Sequence, residues 1–308
     1  METTAKPIGR THRGWEITKS AWRVLKLDKE LVALPLLSSI LSILGIVSMV
    51  AISLVGAHYL TGATLADVFN NGTENAWSYV AVFVTYLFTA FIVNFFGAAI
   101  TYGAIERFRG NDPTLRKSIA AAQHHVSSIA KFSLLTATIG FALQALEEHV
   151  PLAGKVAVWL VHASWSIASM FAIPVIVMSD KPTGPIEATR KSVDIIKKTW
   201  GETAASQIGI GLIQIMYIIG WFSLVAALTV SIVIFPVPGN YSLMGIGIAS
   251  MSLFILGLVI ISVIFSTLAA IAKAAVYHYA TTGESPEMFN KQLLREAMTP
   301  KKARKIFG

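Results

Sequence analysis

The residues that could do chemistry in this chain are few and dispersed. Five polar side chains fall inside apolar runs: Asn94, Gln144, His162, Gln207 and Gln214. Polar groups at membrane depth are costly and mark a substrate or ion path when they converge, so these five form a candidate intramembrane site. None is an acid. His162 alone could relay a proton there, and its plainer reading is a packed, hydrogen-bonded histidine. His124 and His125 are neighbours. On a helix they point about 100° apart and miss the i, i+4 pairing of a helical zinc site. Glu147, Glu148 and His149 stand together without the nucleophile and oxyanion donor that hydrolysis needs. Cysteine is absent, which removes thiol catalysis, disulfides and Cys-held metals. No glycine-rich nucleotide-binding pattern occurs. The expectation is a non-enzyme with no catalytic residues, no metal site and no cofactor.

A second set is cationic: Lys19, Arg116, Lys117, Arg190, Lys191, Lys197 and Lys198. These sit in three stretches with apolar residues at helical spacing. The first carries Trp15, Thr18, Trp22 and Leu25; the second Leu115, Ile119, Ala122 and Val126; the third Ile186, Val193, Ile196 and Trp200. An apolar stripe beside a basic face describes a helix lying in the membrane interface. Each Lys or Arg near an anionic leaflet adds about 1 kcal/mol of attraction. The chemistry expected is contact with lipid headgroups, anionic ones above all. A protein partner or a second copy of the chain is a further expectation, and nucleic acid is not.

These helices need spans to anchor them. The chain is 54% hydrophobic and 14% charged, against about 25% charged in soluble proteins. Six apolar runs follow, at Leu31–Leu60, Tyr79–Ile105, Ile129–Leu146, Val156–Met178, Ala204–Phe235 and Leu243–Tyr277. Each reaches about the 20 residues that cross a hydrocarbon core. The first begins too far in and runs too long for a cleaved signal peptide. All Lys and Arg but Lys155 lie in the first 30 residues, in Glu106–Lys131, in Lys181–Lys198 and in the tail from Lys273 onward, with Lys131 and Lys273 inside the ends of the third and sixth runs. Lys/Arg-rich loops stay in the cytoplasm, so both termini are expected there, in a multi-pass protein of the inner membrane. Asn71–Thr73 and Asn240–Ser242 match the glycosylation triplet on the other side. Pro174 is expected to bend the fourth span. Gly97, Ala98, Ala99 and Gly103, with Gly209, Gly211, Gly245 and Gly247, read as close helix packing.

The three basic stretches also share a pattern: Thr18-Lys19-Ser20, Arg116-Lys117-Ser118 and Arg190-Lys191-Ser192, each before an odd-numbered span. Gly110–Pro113 and Gly283–Pro286 repeat a Gly-x-x-Pro after the second and sixth spans. The expected fold is an all-α integral membrane protein whose six helices form three hairpins. A cytoplasmic amphipathic helix leads into each hairpin. One domain spans 1–308, with repeat units at 12–108, 112–180 and 184–282. Residues 283–308 form a basic amphipathic tail, with Phe289, Leu293 and Ala297 on its apolar side. The plainer alternative is that any loop between spans looks basic and amphipathic.

The opening stretch carries Trp15 and Ser20, then Leu25, Lys26, Asp28, Lys29, Glu30 and Leu31, then Pro35, Leu36, Leu37 and Ser38. It resembles the opening of a family of six-span bacterial and archaeal membrane proteins of unknown function. More loosely, Ile186, Glu187, Ala188, Ser192, Trp200 and Gly201 resemble the membrane part of some bacterial glycerophosphodiester phosphodiesterases. The first resemblance implies a six-span fold and a membrane location, and brings no activity. The phosphodiesterase chemistry does not carry over, because no soluble domain or carboxylate-histidine cluster accompanies it. The leading functional expectation is a lipid- or partner-interacting membrane module. The alternative is a small-molecule or lipid transporter with a site between the repeats.

Overall fold

A computed structural model of the chain describes residues 10–62, 76–234 and 243–289. Within them, the side chains of 10–14, 57, 60–61, 76–78, 198–208 and 243 lie outside the description. The expectations placed on Lys198, Gln207, Trp200, the two glycosylation triplets and the tail beyond Phe289 therefore fall outside it.

The described residues are all-helical. Helix α1 is Arg10–Leu27, α2 Glu30–Thr61, α3 Ala76–Phe108, α4 Leu115–His124, α5 Val126–His149, α6 Leu152–Ala168, α7 Ala172–Val177, α8 Pro185–Ile234 and α9 Leu243–Thr282. Six segments are long and apolar enough to cross a membrane: Glu30–Gly56, Tyr79–Phe108, Val126–His149, Leu152–Val177, Gly209–Ile234 and Met244–Thr282. They match the six runs read from the sequence. The chain is a multi-pass membrane protein by this criterion. Left-handed glycines close three of the spanning helices, Gly62 at φ +70°, Gly110 at φ +81° and Gly283 at φ +75°. A side chain would be strained in that conformation, and it lets the backbone turn to satisfy the last helical carbonyls.

Helix α3 is the hub, packing against α2, α4, α5, α7 and α9. Its alanines 98, 99 and 104 are fully buried, because small side chains let neighbouring backbones approach. α2 pairs with α3 and α8 with α9, whereas α5 packs more extensively on α3 than on α6. The core gathers toward the end of the bundle that bears α1 and α4. Val24, Leu34, Ile105, Ile129, Phe171, Ile176 and Ile271 are buried there. Farther along the spans, Val47, Tyr59, Trp159, Met216 and Met244 are exposed, as residues facing lipid tails would be.

Packing glycines differ from those expected. A Cβ on Gly257 would overlap the Trp221 ring, whose Nε1 donates to the Phe254 carbonyl at 3.3 Å. A Cβ on Gly45 would overlap Phe88, and one on Gly103 would meet Leu31 and Ser118. Gly97, Gly211 and Gly247 face open space. Of the glycines singled out from the sequence and described in this way, only Gly103 makes a close approach.

Two further expectations change. The fourth span is broken rather than bent. Pro174 has no N–H to give the Met170 carbonyl, and its ring crowds that position. α6 therefore stops at Ala168, and a separate six-residue helix, α7, completes the crossing. The third basic stretch is not a separate helix. It continues into the fifth span as the 50-residue α8, about 75 Å at 1.5 Å per residue, with no proline after Pro185 to stop it.

Candidate functional site at the basic end

The three basic stretches meet the bundle through small faces. Ser20, Ser118 and Ser192 are 4%, 1% and 0% exposed. Ala21, Ala122 and Ala188 beside them are fully buried. α1 packs on α8 and α9, α4 on α3, and the start of α8 on α7. Ser118 lies over Gly103, where a Cβ would come within 2.8 Å of its Oγ. Ser192 Oγ accepts a hydrogen bond from the Phe171 N–H at 2.9 Å. That N–H lies at the break before Pro174, so the serine satisfies a buried donor that the interrupted helix leaves open. α4 is started by its own Thr114, whose Oγ1 accepts from the Lys117 N–H, and by Glu30, whose Oε2 accepts from the Leu115 N–H at 2.7 Å. A carboxylate there is favoured by the helix dipole.

The apolar stripes divide between the outer surface and the bundle. Trp15, Trp22 and Ile186 are exposed, while Ile17, Val24, Leu25, Ile195 and Ile196 are buried against other helices. The inward face is Ser/Ala-rich because close helix packing selects small residues, not the bulkiest apolar ones. The cations point away from it. Lys19, Arg116, Lys117, Arg190, Lys191 and Lys197 are all exposed. Lys191 pairs with Glu187 at 2.8 Å and Lys197 with Asp194 at 3.8 Å.

A charged knot ties the same end together. Asp28, at the joint between α1 and α2, is 4% exposed. Arg107 Nη2 reaches Asp28 at 3.3 Å and Asp112 at 2.5 Å. Arg109 pairs with Glu106 at 2.9 Å, and Asn111 donates to the other Glu106 oxygen at 2.7 Å. Burial pushes the Asp28 carboxyl above its ordinary pKa, and the Arg107 guanidinium only partly offsets this. The Nε of Arg107 is buried with no partner. It adjoins a cavity of about 170 Å³ between the end of α3 and Pro286–Met288. A second cavity, of about 300 Å³, opens between α7, α8 and α9, lined by Ser179, Lys191, Asp194, Tyr277 and Thr281 and by Val175, Met178 and Ile195.

The intramembrane candidates line neither cavity. Asn94 Nδ2 donates to Ser133 Oγ at 3.0 Å, holding α3 to α5. Gln144 and His162 are exposed on the outer faces of α5 and α6, and Gln214 is half-buried in α8. His124 and His125 stack edge to face with ring centroids 5.0 Å apart. Burial and the neighbouring His124 hold the pKa of His125 below its ordinary value. No group of three His, Cys, Asp or Glu residues placed to hold a metal occurs among the described residues. Sequence reasoning passed over Arg107, Tyr277 and Lys273 as site residues. Their signal was present: a cation or a hydroxyl inside or at the edge of a strongly apolar run.

The described family model DUF6159, a family of unknown function, matches residues 76–287. The match starts at α3 and runs past the end of α9, so the opening residues Trp15–Ser38 lie before it. No curated protein matches the chain.

Proposed function

Because the chain belongs to this family of unknown function, which supplies no activity to carry over, we propose its role from the geometry of the basic end. The protein is a non-enzymatic lipid-interacting membrane module. It lies in the inner membrane with both termini in the cytoplasm, and its three basic helical stretches rest against the cytoplasmic leaflet. The supporting observation is the division of faces on those stretches. Buried serines and alanines fix them to the bundle, while Lys19, Arg116, Lys117, Arg190, Lys191 and Lys197 are held outward together. Such an array attracts anionic headgroups. The repeat of three hairpins, each introduced by one such stretch, is part of this reading. The shared Lys-Ser pattern supports it, as do the paired left-handed glycines before Pro113 and Pro286.

The test is reconstitution into vesicles with and without an anionic lipid. The reading expects greater thermal stability and selective retention of the anionic lipid. Equal behaviour in both vesicles would sink it. The transporter alternative draws support from one observation, the break of the fourth span at Phe171, since broken helices line cavities in many transporters. Flux across reconstituted vesicles tests that reading.

A further inference from the structure

Helix α9 is apolar over 40 residues and contains a single Lys, Arg, Asp or Glu, namely Lys273. Its neighbours Ala272 and Ala274 are fully buried. Among the described residues no carboxylate lies within ion-pair distance of it. An ammonium held inside a span without a counter-charge is costly and marks a place where function demands it.

Lys273 belongs to the most open line on this part of α9. Ser262, Ser266, Lys273, Tyr277 and Thr281 are partly or fully exposed, while Val263, Thr267, Leu268, Ile271, Ala274 and Ala275 are buried. Their spacing of four, seven, four and four residues is one helical face. All five carry polar groups. Tyr277 and Thr281 line the 300 Å³ cavity between α7, α8 and α9, with Lys191 also on its wall, paired at 2.8 Å with the exposed Glu187, a contact that a phosphate would share or replace. Lys273 sits one turn beyond Tyr277 on the same face. The rest of the wall is Val175, Met178 and Ile195, apolar, with Ser179 among them. Asp194 shares the rim and is engaged by Lys197 at 3.8 Å. The cavity is at the lower limit of ligand-pocket volumes, large enough for a headgroup, with acyl tails left to the apolar surface outside.

We infer that this groove binds one phospholipid with an anionic headgroup, its phosphate lying between Lys273, the Tyr277 hydroxyl and Lys191. The inference deepens the lipid reading above and rests on it. Phosphate supplies the missing counter-charge to Lys273, and the line of hydroxyls supplies hydrogen bonds at a depth where water is scarce.

The experiment is native mass spectrometry of the full chain, purified in mild detergent with phosphatidylglycerol or phosphatidylcholine. The wild type should keep one phosphatidylglycerol after the others are stripped. Lys273→Met should weaken that retention about tenfold or more, Lys273→Arg should preserve it, and Tyr277→Phe should fall between. A thermal unfolding trace checks folding; Lys273→Met removes a charge from the span and should leave it intact. Retention by Lys273→Met equal to wild type overturns the site. Displacement of the lipid by excess inorganic phosphate also overturns it, by making free phosphate the ligand. A Lys19→Glu/Lys117→Glu variant separates the two readings. If it loses general anionic preference while Lys273→Met changes nothing, the surface reading stands and the groove fails. If neither variant changes anything, both fail.

Discussion

Ser192 Oγ accepts the Phe171 N–H at 2.9 Å, joining the basic start of α8 to the break between α6 and α7. Both residues are fully buried. The bond explains why a polar residue occupies the inward face of a helix that could have been sealed by alanine alone. It also couples the position of Lys191, one residue away, to the shape of the fourth span. A shift of the basic helix would strip a partner from a buried donor.

Ser192→Ala should therefore destabilise the protein by about 1–3 kcal/mol, the range for a buried donor left unsatisfied. Ser179→Ala, on the half-open wall of the neighbouring cavity, should cost less. Thermal unfolding in detergent compares the two. Equal stability of Ser192→Ala and wild type would show that the contact carries no weight.

Gly257→Ala should destabilise the α8–α9 pair by about 1–3 kcal/mol, the usual effect of overpacking. Its new methyl must displace the Trp221 ring, which is tied to the Phe254 carbonyl. Gly247→Ala, ten residues away on the same helix and in open space, should be near neutral. The difference between the variants in unfolding temperature is the readout, and a reversed order would contradict the packing.

Asp28 gives the pH dependence. Its folded-state pKa is raised above the ordinary value of 3.8, first by burial. The folded state thus holds the proton more tightly than the unfolded state does. The stability linked to this group is fully present below the ordinary value and is lost as pH rises through the raised one. Between those two values, wild type should lose stability with rising pH, and Asp28→Asn should show a shallower slope. A steeper slope in Asp28→Asn would reverse the assignment.

The absence of cysteine makes orientation directly measurable. Single variants Lys117→Cys and Lys155→Cys place one thiol at each end of the bundle. In intact cells a membrane-impermeant maleimide should label Lys155→Cys and spare Lys117→Cys. The opposite pattern would invert the proposed topology.

The six spans were legible because long apolar runs have few alternatives, and Pro174 announced its own interruption. The faces of the basic stretches were not legible. Trp15 and Trp22 mark the interfacial face of α1 by their size and are exposed, but nothing in the local spacing showed that Ser20 and Ala21 are the residues packed inside. Ser192 shows the same limit: its partner Phe171 is 21 residues away, and no local periodicity encodes that meeting. The continuity of α8 escaped notice because the change from basic to apolar composition suggested a boundary that the helix ignores. Lys273 gave no sign of its surroundings, because its line of hydroxyls becomes visible only once burial separates the faces of α9.

The most direct measurement is lipid selectivity of the charge-reversed chain. Wild type and the Lys19→Glu/Lys117→Glu/Lys191→Glu variant are placed in nanodiscs of mixed phosphatidylglycerol and phosphatidylcholine, and the lipids retained on extraction are counted. Three lysines at about 1 kcal/mol each correspond to about a hundredfold in partition. Wild type should be enriched in phosphatidylglycerol, and the folded variant should lose most of that enrichment. A folded variant with undiminished enrichment would contradict the proposal that the basic end engages anionic headgroups.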